Sequence, residues 1–219
     1  MTPDFEKAAL KATETLIRHN IGTAPIDALH ILKNTPGVLV KTFAEISEEK
    51  NISRGEILDT LGCKNQDAIT TVMLDDSDLK YVVAYNRMLS AGIVNRALAR
   101  ELGHIILGHD GTRTEEVRQE EAKCFAHHLL CPRPLIHSLQ AAGIRLTTET
   151  VGNITGFYDY CLSCIRSQPS VKVPAELNRL VRDQFMPYIK NLFEYQRYAS
   201  INDGSALADL GAYMEGYEE

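Results

Sequence analysis

Residues 96–109 read RALARELGHIILGH. On a helix, residues four apart share one face a single turn apart. Two imidazoles at that spacing can hold a divalent metal, and a carboxylate beside the first can polarise the metal's water. Here Glu101 takes the carboxylate position and His104 that of the second imidazole. The first imidazole position is Arg100, a permanent cation with no lone pair to give. A glutamate and a histidine three apart are by themselves an ordinary solvated or satisfied pair. The surrounding residues must decide between the two readings.

A further ligand would come from a second helix packed on the first. Residues 114–131 carry an apolar face of Ala122, Phe125, Ala126, Leu129 and Leu130, at i, i+3, i+4, i+7 and i+8. Winding at about 100° per residue, the polar side chains nearest that face are Gln119 and Lys123. Glu120, Glu121, His127 and His128 are expected to point away from it. Gln119 is an amide, so this helix offers no obvious third ligand. The alternative is a rearranged metal site drawn from His104, His109, Glu120, Glu121, Cys124, His127 and His128. Glu120, Cys124 and His127 lie at i, i+4 and i+7, although polar groups on an outer helix face are usually just solvated. His109, beyond Gly108, reads as part of a helix C-terminal cap.

The elements that must position these residues follow from periodicity and punctuation. An amphipathic helix opens the chain, with Phe5, Ala8, Ala12, Leu16 and Ile17 on one side. GTAPIDALHILKNTPG predicts a Pro-initiated turn and a second helix, and VLVKTF alternates like a strand. Residues 48–66 read as polar and irregular with one short helical patch. DAITTVMLD and LKYVVAYN, divided by Asp76-Ser77-Asp78, predict an antiparallel hairpin. The motif helix should span about Ile93 to Leu107, and the next ends before Pro132. Two or three short helices are expected over 133–170, then a long one over 174–198 kinked at Pro187, then an acidic tail. Helices, then strands, then helices make an α+β fold.

Composition narrows the function classes. The 219 residues carry a net charge of −6, which argues against a non-specific nucleic-acid binder. No apolar run approaches a membrane span, and the N-terminus does not read as a signal peptide. A cytoplasmic location is expected, with the five cysteines as thiols. Cys161 and Cys164 form a lone CxxC, better read as two thiols on a helix turn than as a redox or metal site.

YNRMLSAGIVNRALARELGHIILGHDG followed by QEEAKCFAHHLLCP resembles the ImmA/IrrE-type zinc metalloendopeptidases. Tyr85-Asn86, Glu101-Leu102-Gly103-His104, Leu107-Gly108-His109, Ala122, Phe125-Ala126, Leu129-Leu130 and Pro132 carry the likeness. It implies a minimal zincin-like α+β domain over 1–135. Residues 136–219 would form a helical C-terminal region with a helix-turn-helix-like element. In active relatives it implies metal-assisted hydrolysis of a peptide bond, often in a repressor of a phage or mobile element.

The departures fall on the chemistry. Arg100 stands where the family has its first zinc histidine, Gln119 where it has its third-ligand glutamate, and Lys123 where it has Asn or Asp. His104 is the only retained ligand position, and Glu101 is a vestigial general base. Arg100 and Lys123 are expected to stand in for the metal beside Glu101. The expectation is a pseudo-enzyme without cofactor that binds a protein partner such as a helix-turn-helix repressor, without direct nucleic-acid contact. The alternative is an active zinc endopeptidase with a rearranged ligand set. Oligomeric state is left open.

Overall fold

The computed structural model describes residues 2–60, 67–75, 78–109, 112–144, 146–156 and 171–202. Helix α1 (Phe5–Arg18) starts at Asp4, whose side chain accepts the backbone N–H of Lys7 at 2.9 Å. Ala8, Ala12 and Leu16 form its buried stripe, as the periodicity predicts. Helix α2 (Ala28–Lys33) starts in the same way at Asp27, which accepts the N–H groups of Leu29 and His30.

Strand β1 (Val38–Thr42) stops one residue short of the expected VLVKTF run. Thr42 and Glu45 form a capping box that turns Phe43 into the first residue of helix α3 (Phe43–Lys50). A second short helix, α4 (Arg54–Thr60), follows the left-handed Asn51. Two helices therefore stand where a strand end and one helical patch were expected, and the T-x-x-E signal explains the difference.

Strands β2 (Ala68–Asp75) and β3 (Asp78–Tyr85) form the expected antiparallel hairpin, in register from Asp75 opposite Asp78 to Ala68 opposite Tyr85. Strand β1 pairs with β3 in parallel, giving a mixed sheet of order β1-β3-β2. Successive side chains leave opposite faces of a strand. Val83 enters the main core, whereas Ala84 packs with Phe43 and Ile57 on the other side. Ala68 lies in the main core, so Thr70, two residues on, shares its face.

Helices α5 (Ala91–Leu107) and α6 (Glu115–Leu130) follow, with Gly108 at φ 68° closing α5 in the left-handed conformation. Helix α5 packs on α6, on β2 and on β3. Helix α6 is clamped from two sides, by α5 and by α1. Helices α7 (Arg133–Ala141) and α8 (Thr148–Thr155) answer the expected short helices. A last helix, α9 (Ala175–Asn202), runs through Pro187 and packs against α1 and α7. Its Val181, Phe185 and Ile189 join the same buried cluster as Leu16 and Phe125.

The architecture is α+β, consistent with a small zincin-like domain followed by helices. Among the described residues, no helix is long and apolar enough to cross a membrane. Cys161, Cys164, the latter part of the helix-turn-helix-like stretch and the acidic tail lie outside the described residues.

Candidate functional site

Helix α5 is held at both ends before any chemistry is considered. The Asn95 side chain accepts the N–H of Ala28 and donates to the carbonyl of Ile26, each at 2.8 Å, fixing the start of α2 to the motif helix. At the other end, Lys7 Nζ donates to the carbonyl of Leu107 at 3.2 Å, a cation where the helix dipole favours one. Gly103 lets α6 come close: a Cβ there would lie 3.0 Å from the Phe125 ring and 3.3 Å from Ala122 Cα. The glycine of the ELGH run is thus explained by packing.

Glu101 is buried, 7% exposed, and accepts a hydrogen bond from the Thr70 hydroxyl at 2.7 Å. Burial raises its carboxyl to about 7, against the pull of the Thr70 bond and then of the Arg100 charge. Thr70, and not a cation, is therefore its direct partner. The expectation that Lys123 helps to neutralise Glu101 is corrected. Lys123 is exposed and ion-pairs with Glu120 at 2.7 Å. Arg100 is half-buried, and its Nε is shut off from solvent without a hydrogen-bond partner among the described residues.

The second correction concerns helix α6. Glu121, expected to point away, is 3% exposed and lies at the centre of a polar cluster. It accepts the backbone N–H of Asp4 at 2.7 Å, pairs with Arg113, and meets His109 Nε2 at 3.0 Å. His109 in turn meets His104, Nδ1 to Nδ1, at 2.8 Å, with the two rings edge to face. His109 does close the helix, its backbone N–H reaching the carbonyl of His104, but its side chain does more than cap. Helix α6 buries two faces, one on α5 and one on α1, so the polar residues beside its apolar stripe are buried as well. A single apolar stripe in the sequence does not reveal the second buried face.

Burial lowers His104 to about 4, with His109 the next cause, and burial also lowers His109 against the opposing pull of Glu121. Both shifts favour the uncharged rings.

Gln119 is half-buried and donates to Glu115 at 2.7 Å. Glu115 also pairs with Arg118, and its charge acts on both Glu101 and His104. The outer-face trio does not gather: Glu120 is exposed, whereas Cys124 is buried with its thiol toward the Phe5 carbonyl at 3.7 Å. His127 is half-buried. His128, expected outside, is 4% exposed with an unpartnered Nε2.

A family model, the IrrE N-terminal-like domain, matches residues 63–156. The chain carries an IrrE N-terminal-like domain. The matched range takes in β2, β3, α5, α6, α7 and α8, and so every residue of the Glu101–Thr70 and His104–His109–Glu121 contacts. No curated protein and no solved structure matches the chain.

The residues of this IrrE N-terminal-like domain do not fit the three-ligand zinc centre that the peptidase resemblance implies. A zinc site needs lone pairs converging on one point. Arg100 has none and the Gln119 amide is tied to Glu115, which leaves His104 as the one imidazole at the motif's ligand positions. Among the described residues, no group of three or more His, Cys, Asp or Glu side chains is arranged to hold a metal.

Proposed function

We propose that this protein is a non-catalytic member of the peptidase-type family that binds a protein partner. The candidate partner is a helix-turn-helix repressor of a phage or mobile element. The guanidinium of Arg100 carries this reading: it stands at the first imidazole position of the motif helix, one residue from a glutamate held instead by Thr70. The scaffold features are retained, including the close approach at Gly103 and the left-handed Gly108. Strand β2 runs past the motif as an edge of the sheet, and an open edge can pair with an extended segment of another chain.

Metal analysis and a cleavage assay test the proposal together. The purified protein is expected to hold no stoichiometric zinc, and Arg100→His combined with Gln119→Glu to create zinc binding. A candidate repressor is expected to bind the unmodified protein and to stay intact. Cleavage of that repressor, abolished by Glu101→Gln, would overturn the proposal in favour of an active endopeptidase with a rearranged ligand set.

A further inference from the structure

The buried chain Glu121–His109–His104 has a direction, and that direction fixes which nitrogen of His104 carries a hydrogen. Oε1 of Glu121 accepts the Asp4 N–H at 2.7 Å and pairs with Arg113, so this side chain meets its partners as an acceptor. Its Oε2 lies 3.0 Å from His109 Nε2, which must therefore carry the hydrogen. In a neutral ring the other nitrogen is then bare. That nitrogen, His109 Nδ1, lies 2.8 Å from His104 Nδ1, so the hydrogen between them belongs to His104.

We propose that Glu121 and His109 are positioning residues that hold His104 as the Nδ1–H tautomer, leaving Nε2 as a bare acceptor at the motif. Arg100 and Arg118 supply the cations whose charges act on this ring, and Glu115 supplies an anion. A bare Nε2 takes a hydrogen-bond donor, such as the N–H or hydroxyl of a docked polypeptide, and rejects a carbonyl or carboxylate. That ligand class rests on the protein-binding reading above. The tautomer does not, because it can be measured on the protein alone.

The test is nitrogen NMR of the imidazoles in the full chain at neutral pH, where protonated and bare ring nitrogens resonate far apart. His104 is expected to show a protonated Nδ1 and a bare Nε2. Glu121→Gln then supplies the decisive comparison. Its carbonyl oxygen must take the Oε1 place facing Asp4 N–H and Arg113, which puts the amide NH2 against His109 Nε2. Every hydrogen in the chain should reverse, moving the His104 Nε2 resonance from the bare to the protonated position.

His109→Phe should uncouple the two ends, so that adding Glu121→Gln leaves the His104 resonances where His109→Phe alone puts them. If Glu121→Gln fails to fold, the unmodified protein and His109→Phe decide the matter: His104 should show one tautomer in the first and a mixture in the second. The proposal is overturned by a protonated Nε2 in the unmodified protein, by His104 resonances unmoved in folded Glu121→Gln, or by a single unchanged tautomer in His109→Phe. Because no partner is present, none of these outcomes bears on whether a repressor binds.

Discussion

Thr70 on strand β2 donates to Glu101 on helix α5 at 2.7 Å, so the sheet and not a cation supplies the glutamate's direct partner. Burial nonetheless lifts the carboxyl from its ordinary 4.5 to about 7. Between those values the folded chain binds more protons than the unfolded one, so this group's contribution to stability falls as pH rises. At about 1.4 kcal/mol per pH unit, the window is worth about 3 kcal/mol. Glu101→Gln should therefore gain stability relative to the unmodified protein on going from pH 4.5 to pH 8. Urea unfolding at the two pH values checks this, and an equal change at both would contradict it.

The histidines respond in the opposite sense. His128 is buried, and desolvation followed by the Arg133 charge lowers it to about 4 from 6.5. Its contribution is complete above pH 6.5 and is lost as pH falls through about 4. His128→Leu should flatten the acid limb of the stability profile by about 3 kcal/mol, and it also removes a buried nitrogen that has no partner among the described residues. Thermal melts from pH 7.5 down to 4 would reveal an unchanged acid limb if the assignment is wrong.

Glu121 joins α1, the α5–α6 connection and α6 through one side chain. Glu121→Ala leaves His109 and Arg113 without their buried partner, and a loss of about 3 kcal/mol is expected. A double-mutant cycle with His109→Ala should return a coupling above about 1 kcal/mol, since the two share a hydrogen bond. Strict additivity of the two losses would rule the coupling out.

Gly103→Ala sets helix propensity against packing. The alanine gains about 1 kcal/mol as a helix former, but its Cβ would meet the fully buried Phe125 ring and the Ala122 backbone. Overpacking of this kind costs about 1–3 kcal/mol, so a net loss near 1 kcal/mol is expected. In the Gly103→Ala background, the further change Phe125→Leu should cost less than it does alone. Calorimetry of the four variants measures the difference.

Much of the scaffold was legible because local signals and the global fold agree. The hairpin could be read from two alternating runs around Asp76-Ser77-Asp78, and the motif helix from its periodicity and Gly108. Phe43 continues the alternation of a strand, but the Thr42–Glu45 capping box makes it the first residue of α3. The site was harder to read, since its partners come from far along the chain. Thr70 shows nothing in sequence beyond a strand position, and it reaches Glu101 only because Ala68 fixes which face it shares. Glu121 was misplaced because a helix wheel assumes one buried face, whereas α6 is packed by both α5 and α1. His109 was recognised as a cap from Gly108, but its side-chain role depends on where Glu121 lies.

The bond from the Asp4 N–H to Glu121 spans 117 positions of sequence. During synthesis from the N-terminus, helix α1 emerges long before the carboxylate that secures its first turn. Until residue 121 has cleared the ribosome, the stripe of Ala8, Ala12 and Leu16 lacks helix α6, and the last helix that packs on α1 is made later still. The carboxylate that orients the two histidines is therefore also a late clasp on a helix made more than a hundred residues before it. Truncations ending before α6 should leave that helix the most open to chaperones and proteases.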